Sequence, residues 1–434
     1  MGLWLRNLPG LRAARGGLAA MAGGAHLTTI RFLHAADLHL DSPLRGLEAD
    51  PGAPVEQIRG ATRRALERLV DLALVEDVAF VLIAGDIYDG DWPDYGTGLF
   101  FGHQMARLAR AGKRVFAIRG NHDAQNRITR SLRLPDGVRL LPARRPETVE
   151  LPDLGIAVHG QSFAAQDVTD NLMRAYPKPV AGLVNIGLLH TCLEQVGGPH
   201  PRYAPCTRAE LTAHGYEYWA LGHIHAREVV CENPWIVFPG NLQGRHVNET
   251  GAKGATLVTV AEGRVVAAEH RALDDFRWAR LSVDLTGLET EEAALAEIAT
   301  RLGVALDAAG GRGLAARVTL TGATILHGAL AGLREKLVNE ARMLSALFWI
   351  EGVEIRTRPA RPAALAARGD ALGALARRIA TLAEAPPEAL LAEWPAQLLG
   401  RLPPGTLPPE HPLHDPAQVL ARARDLLLAR LEEG

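Results

Sequence analysis

Residues 78–86, VAFVLIAGD, constrain the fold more than any other stretch of this chain. A continuous apolar run closed by Gly-Asp reads as a strand buried on both faces, as in parallel sheets. It lies between two segments of helical periodicity, EQIRGATRRALERLVDLALVEDV and TGLFFGHQMARLARAG. Further strands stand outside them, TIRFLHAAD before and KRVFAIRGNHD after. A β-α-β-α-β series of this kind predicts a layered α/β domain with parallel strands. Beyond Leu134 the strands come faster: VRLL, TVEL, GIAVHG, VNIGLLH, YEYWALGHIH, WIVFPG and ATLVTV. They predict a second sheet packed on the first.

Five of these strands end in polar clusters of one kind. They are A-D-L-H with Asp37 and His39, G-D-I-Y-D with Asp86 and Asp89, G-N-H-D with Asn121, His122 and Asp123, L-L-H at His190, and G-H-I-H with His223 and His225. Ligands of open α/β sheets bind at the carboxyl ends of the strands, so the clusters are expected to converge on one edge. In an extended segment, residues i and i+2 point to the same side, so each D-x-H and H-x-H pair projects together. Taken singly the clusters carry little: an Asp after a strand usually caps a helix, and G-N or G-D usually marks a turn. Recurrence of the whole set in one domain favours a metal centre. Carboxylate, imidazole and amide oxygen without thiolate suit Mn²⁺, Fe²⁺, Zn²⁺ or Mg²⁺ rather than a structural zinc. The donors are too many for one ion, and Asp86 can bridge two. A pair of divalent ions roughly 3.5–4 Å apart serves in-line displacement at phosphorus.

Composition narrows the partners. The chain has 434 residues, 47% hydrophobic and 22% charged, with a formal net charge of -2. A pI near 6.8 gives no global nucleic-acid signature, so any polyanion contact must be local. Arg127, Arg130, Arg133, Arg139, Arg144 and Arg145 follow G-N-H-D against one acid, Asp136. That run could grip DNA phosphates, Arg127, Arg130 and Arg133 nearest the metals, though a solvated basic face fits it as well. Cys192, Cys206 and Cys231 show no C-x-x-C spacing, which fits a reducing, cytoplasmic setting. No apolar run is long enough to span a membrane.

The expected organisation has four parts. Residues 1–27, Gly- and Ala-rich with Arg6, Arg12 and Arg15, read as a disordered N-terminal extension, with a targeting segment or a start at Met21 as alternatives. Residues 28–274 form the catalytic domain, and 275–360 a smaller β-α-β-α-β capping domain without clustered histidines. Residues 361–434 are helical and proline-rich, ending in a helix with Asp415 as N-cap and Pro416 first. There Leu420, Ala423, Leu427 and Leu431 share a face, and Leu372, Leu375, Ile379 and Leu382 are spaced to dock a partner or to cover the chain's own core.

In order and spacing, D-x-H, G-D-x-x-D, G-N-H-D, a lone His and G-H-x-H resemble the calcineurin-like metallophosphoesterase superfamily. More closely the chain resembles SbcD-type DNA-repair exonucleases, with GDIYDGDWPDYGTGL similar to their YhaO-like branch. The resemblance implies a two-sheet α/β sandwich. It implies one ion on Asp37, His39, Asp86 and His225, and a second on Asp86, Asn121, His190 and His223. His122, left over from coordination, would be the general acid protonating the leaving alkoxide, and Asp123 beside it would orient the ring, raise its pKa or serve only to form the turn. Asp89 departs from the histidine that nucleases of the wider family often carry there, and could support His39 or another ligand. Phosphatases of the superfamily show G-D-x-x-D-R-G, whereas Gly90 and Asp91 follow Asp89 here. The activity implied is DNA phosphodiester hydrolysis. Alternatives are a phosphodiesterase of cyclic nucleotides or nucleotides, and a subunit active only with an SbcC-type SMC-like ATPase. A homodimer is open.

Overall fold

The computed structural model describes residues 29–42, 55–89, 95–125, 134–193, 203–343, 348–360, 365–383, 386, 413 and 415–433. Arg127, Arg130 and Arg133, like the expected N-terminal extension, lie outside them.

Two six-stranded sheets form the body. The first holds β1 (Ile30–Ala35), β2 (Phe80–Ala84), β3 (Arg114–Ile118), β4 (Val138–Leu140), β11 (Gly254–Ala261) and β12 (Arg264–Ala272), in the order β12-β11-β1-β2-β3-β4. Strands β1 to β4 run parallel, and β11 is antiparallel to both its neighbours. The second holds β5 (Glu147–Leu151), β6 (Ile156–Gly160), β7 (Val184–His190), β8 (Tyr218–Gly222), β9 (Glu228–Glu232) and β10 (Trp235–Phe238), in the order β5-β6-β7-β8-β10-β9. Its four inner strands are parallel and its two edge strands antiparallel.

Residue alternation sets the layers. On β8, Tyr218 and Ala220 enter the core between the sheets with Phe32, Phe80, Leu82, Phe116, Ile186 and Val258. Trp219 and Leu221 face the other way, into a cluster with Tyr216, Tyr176 and Leu211. The period of two puts successive side chains on opposite faces, so a central strand apolar throughout is buried on both. Helices α1 (Val55–Val75) and α2 (Gly96–Arg110) cover the outer face of the first sheet. Ala65, Leu66, Leu69, Val70 and Ala73 of α1 lie at helical spacing in that contact. Two short helices follow, α3 (Asn121–Gln125) and α4 (Arg208–Ala213), the latter opened by a Thr207–Glu210 capping box.

After β12 come β13 (Phe276–Asp284), α5 (Glu291–Ala308), β14 (Gly313–Thr321), the two-residue β15 (Ala323–Thr324), α6 (His327–Met343), β16 (Phe348–Ile355) and the two-residue β17 (Arg358–Pro359). Strands β13, β14 and β16 form a parallel sheet of their own, so this unit is the expected β-α-β-α-β succession. It is fastened to the body. Phe276, Trp278, Ala315 and Trp349 bury Ile58, Ala61 and Val247, and Gln243 Oε1 accepts the backbone N–H groups of Asp275 and Phe276.

Helix α7 (Ala371–Ala383) packs on α8 (Pro416–Glu433), capped by Asp415 as expected. Ala376, Ile379 and Leu365 close on Leu428, with Leu431 against them, while Leu427, Leu375 and Leu382 are exposed. The buried seam of the last helix runs through Leu428 and Leu431, so Leu431 of the expected face is packed and Leu427 is not. Among the described residues no helix is long and apolar enough to cross a membrane.

Candidate metal centre

The parallel strands β1, β2, β3, β7 and β8 bring their carboxyl ends to one edge, where the two sheets meet. Past β1 the chain stays tied to the loop after β2, Asp37 N–H donating to Gly85 O and His39 N–H to Asp86 O. Within the second sheet Thr191 N–H donates to Gly222 O, and His190 Nδ1 reaches across to Ala84 O of the first. Gly85 and Gly222 permit this approach: a Cβ on Gly222 would run into Ala84 O, and one on Gly85 into the His190 ring. Asp37, His39, Asp86 and His223 all hold positive φ, at 51°, 43°, 50° and 102°. For non-glycine residues that costs roughly 1–3 kcal/mol each, a strain characteristic of functional sites.

All seven expected donors gather here. Asp37, His39 and His190 are fully buried, and Asp86, Asn121 and His223 nearly so. Asp37, His39 and His225 present ligand atoms within 4.8 Å of one another, as do Asp37, Asp86 and His190. Asp37 and Asp86 thus stand together on the His190 side. His122 forms a third such group with His39 and Asp86. His223 joins none of the three; its ring lies 5.3 Å from that of His190, and its backbone N–H donates to both Asp37 oxygens.

Proton positions test whether these residues fit a cation. His190 Nδ1 sits 2.9 Å from Ala84 O and must carry the proton. Its Nε2 lone pair then faces two acceptors, Asn121 Oδ1 at 3.1 Å and Asp86 Oδ2 at 3.5 Å. His225 Nδ1 is held 2.6 Å from Glu249 Oε1, so its Nε2 is also a lone pair, aimed at His39 Nε2 at 3.1 Å. Were His39 protonated there, its bare Nδ1 would face the Asp89 carboxylate at 3.7 Å. Lone pair against lone pair is repulsive unless a cation lies between them. The electrostatics agree. Burial drives the His190 pKa down to about 3 and that of His39 well below normal, with Arg245 adding to the latter, so both rings are neutral. Burial, then the neighbouring Asp86, raises Asp37 well above the carboxylate range, and burial lifts Asp86 to about 6. Neutral imidazoles beside carboxylates short of positive charge are the donor set of divalent cations, whose chemistry here would be to polarise phosphoryl oxygen and activate water.

His122 differs from the others. Its side chain is 36% exposed, and its Nδ1 lies 2.9 Å from Asp89 Oδ1. That contact raises its pKa, against burial. The expectation that Asp123 orients this ring is corrected. The Asp123 carboxylate accepts the backbone N–H groups of Ile87, Tyr88 and Gly120, and so fixes the loops after β2 and β3. Burial, with Asp86 nearby, lifts it to about 7. Asp89 does the orienting, and it also faces His39.

Three residues after β10 complete the centre and were missed from sequence. Glu249 binds the His225 ring and accepts from Asn241 Nδ2 at 2.8 Å and Arg245 N–H at 2.7 Å. Arg245 Nη1 donates to Asp89 Oδ2 at 3.0 Å. Lys253 Nζ donates to His225 O at 2.7 Å. The loop arrives through an isolated bridge between Ala36 and Asn241. Its only signals in the sequence were the turn-forming G-N and G-R around Leu242 and a charged H-V-N-E.

An edge of parallel strands loaded with neutral imidazoles and buried carboxylates suits a metal-dependent phosphoesterase. Residues 30–227 match the calcineurin-like phosphoesterase family, and the two-sheet body has the α/β fold of that family. Residues 278–358 match the middle domain of metallophosphoesterase YhaO. Over 264 residues the chain is 36% identical to the uncharacterized metallophosphoesterase YhaO of Bacillus subtilis (strain 168), covering 60% of this chain and 64% of that one. It is 25% identical over 290 residues to the DNA double-strand break repair protein Mre11 of Methanopyrus kandleri, covering 61% of each. The chain thus spans less than two thirds of these relatives' length. A dimetal phosphatase structure from Danio rerio is similar over 55% of this chain and 98% of its own, at 14% identity and a TM-score of 0.32.

Proposed function

We propose that this phosphoesterase is a two-metal DNA exonuclease, with Mn²⁺ the preferred ion, acting in DNA repair in the cytoplasm. Asp37, His39, Asp86 and His225 would hold one ion, and Asp86, Asn121, His190 and His223 the other. His122, half-exposed and backed by Asp89, is positioned to donate a proton to the leaving oxygen. The observation that carries a polymeric substrate is the docking of the βαβαβ unit. Trp278 Nε1 donates to Gly244 O at 3.0 Å, in the loop whose Glu249 holds His225. A small diester needs no such cap beside the metals, whereas strand ends can be sorted by one. The likeness to Mre11 supports the same reading. Arg144 and Arg145, exposed just past β4 on the site's edge, offer further phosphate contacts, while Arg139 is paired with Glu147. The exposed leucines of α7 and α8 leave room for an SMC-like ATPase partner or a second copy.

The test is hydrolysis of end-labelled duplex and single-stranded DNA against bis-p-nitrophenyl phosphate, with Mn²⁺ and with chelator. Mn²⁺-dependent shortening of DNA is the expected result. Cleavage of the small diester with DNA left intact would move the assignment to a small-substrate phosphodiesterase. DNA cleavage only on adding an SbcC-type ATPase would make the chain a nuclease subunit.

A further inference from the structure

Two carboxylates of the centre, Asp89 and Glu249, stand outside the three donor groupings, and each is turned onto a histidine's far nitrogen. Asp89 Oδ1 meets His122 Nδ1, and Glu249 Oε1 meets His225 Nδ1. One belongs to the loop after β2 and the other to the loop after β10. Arg245 lies between them. Its Nη1 donates to Asp89 Oδ2 at 3.0 Å, and its Nη2 stands 3.4 Å from Glu249 Oε1. Nη2 is also 3.3 Å from His225 Nδ1, but the 2.6 Å contact with Glu249 already occupies that nitrogen's proton. The side chains of Arg245 and Asp89 are each 15% exposed and that of Glu249 7%.

We propose that Arg245 is a positioning residue of the phosphoesterase centre: its guanidinium, forked across Asp89 and Glu249, holds the His122 and His225 rings in fixed relation. The physical need is plain. Two nearly buried carboxylates beside Asp37 and Asp86 repel one another, and without a cation between them one would turn toward water. That change frees the ring it orients. A guanidinium suits the task because its planar donors reach two acceptors in one fixed geometry, whereas an ammonium is a compact point charge. Asp89 also accepts from Ser42 Oγ, so the arginine completes a carboxylate already held on one side.

The inference rests on the reading of this edge as a metal centre and not on DNA as the substrate. It is tested on the full chain with Arg245→Met, Arg245→Lys, Asp89→Asn and the Arg245→Met/Asp89→Asn double variant. The readouts are Mn²⁺ titration of the metal-free protein by calorimetry, and kcat and KM on bis-p-nitrophenyl phosphate. Partners of metal ligands typically matter by roughly 10–100-fold in affinity or rate. Arg245→Met should show a loss of that size, in Mn²⁺ affinity through His225 and in kcat through His122, with KM little changed. Arg245→Lys should recover less than half of the loss on a logarithmic scale, and the double variant should fall no further in kcat than the worse single one. Wild-type Mn²⁺ affinity and kcat in Arg245→Met would overturn the proposal. So would full recovery by lysine, which would reduce the role to charge alone, or strictly additive losses in the double variant. Should the methionine variant not fold, the lysine variant decides by the same readouts. A wild-type chain that takes up no Mn²⁺ would instead overturn the reading of the centre itself.

Discussion

The strand ends of the body and those of the βαβαβ unit are built from the same succession of elements and arrive at opposite results. In the body, β1, β2, β3, β7 and β8 deliver buried Asp, Asn and His to one edge, four of them at positive φ. In the unit, the charges of β14 and β16 are spent on one another at half-exposed positions, Arg317 on Glu351 and Glu354. Its buried cluster, Val283, Ile298, Leu302, Leu314, Val318 and Ile350, is apolar throughout. Among the described residues, buried carboxylates and imidazoles at positive φ gather at one edge of one domain, and the apolar packing around them offsets their cost.

The sharpest way to break the contrast is Asp86→Asn. Asp86 reaches toward His39 and His190 and accepts His122 N–H at 3.0 Å. The amide should bring hydrolysis of bis-p-nitrophenyl phosphate to assay background and lower the Mn²⁺ bound per chain. Full activity would mean that the edge is not the catalytic centre. A smaller loss follows from His122→Asn, which should keep the metals and reduce kcat by roughly 10²–10⁴, the range for a positioned general acid. Lost Mn²⁺ in that variant would make His122 a ligand, as its grouping with His39 and Asp86 permits geometrically.

Gly222→Ala probes the strain. A methyl there meets Ala84 O of the facing sheet, with the His190 ring beside it. Backbone cannot yield as a flexible side chain does, so the cost should be roughly 3 kcal/mol or more, in the upper range for single substitutions. Urea unfolding of the metal-free protein measures it. A cost under about 1 kcal/mol would show that the sheets separate easily at this edge.

Much of this edge was legible because its signals are local. Asp and His one residue apart at strand ends, and glycines before Asp86, Asn121 and His223, can be read without tertiary knowledge. The parallel order of β1 to β3 followed from the helices between them. Sequence adjacency misled at Asp123. Neighbours i and i+1 on a helix do not face each other, so Asp123 in α3 could not serve the His122 ring. Asp89 reaches it from another loop instead. Arg245 and Glu249 were invisible for the complementary reason: only the bridge of Asn241 to Ala36 carries their loop to the site, and no periodicity announces it. Arg139, counted in the basic run, is neutralised by Glu147 across the β4–β5 connection.

Acid stability separates the buried carboxylates of the metal edge from the buried histidines, those of the edge included. His159 lies on β6 between Thr148 Oγ1 at 2.9 Å and Asn185 Oδ1 at 3.0 Å, and burial lowers its pKa to about 4. His34, between the sheets, is lowered to about 3 by the same cause. As pH falls through about 6.5 the unfolded chain binds protons that these folded rings refuse, so stability is lost at about 1.4 kcal/mol per pH unit for each ring. Asp86 and Asp123 act in the opposite sense, since their folded pKa values, about 6 and about 7, exceed those of the unfolded chain. The difference between wild type and His159→Gln isolates one term. Between pH 6 and 5, in chelator, the variant should lose about 1.2 kcal/mol less than wild type. Equal losses would mean that His159 takes up its proton in the folded state.

The smallest effect should come from the unit, and with the opposite sign. Gly303 lies within α5, at a position where an added Cβ meets nothing within 4 Å. Its φ is not among the positive ones, so alanine fits the backbone it already has. Glycine in a helix interior costs about 0.5–1 kcal/mol relative to alanine, chiefly through the entropy of the unfolded chain. Gly303→Ala should therefore raise stability by about that amount and leave hydrolysis of the small diester unchanged. At Gly222 the same methyl should destabilise the protein and silence it, because there the glycine is required by the approach of two sheets around the candidate metal ligands. A loss of stability at Gly303 would show that α5 is held against a surface as tightly as the catalytic edge. The division between a strained centre and a relaxed, apolar cap would then fail.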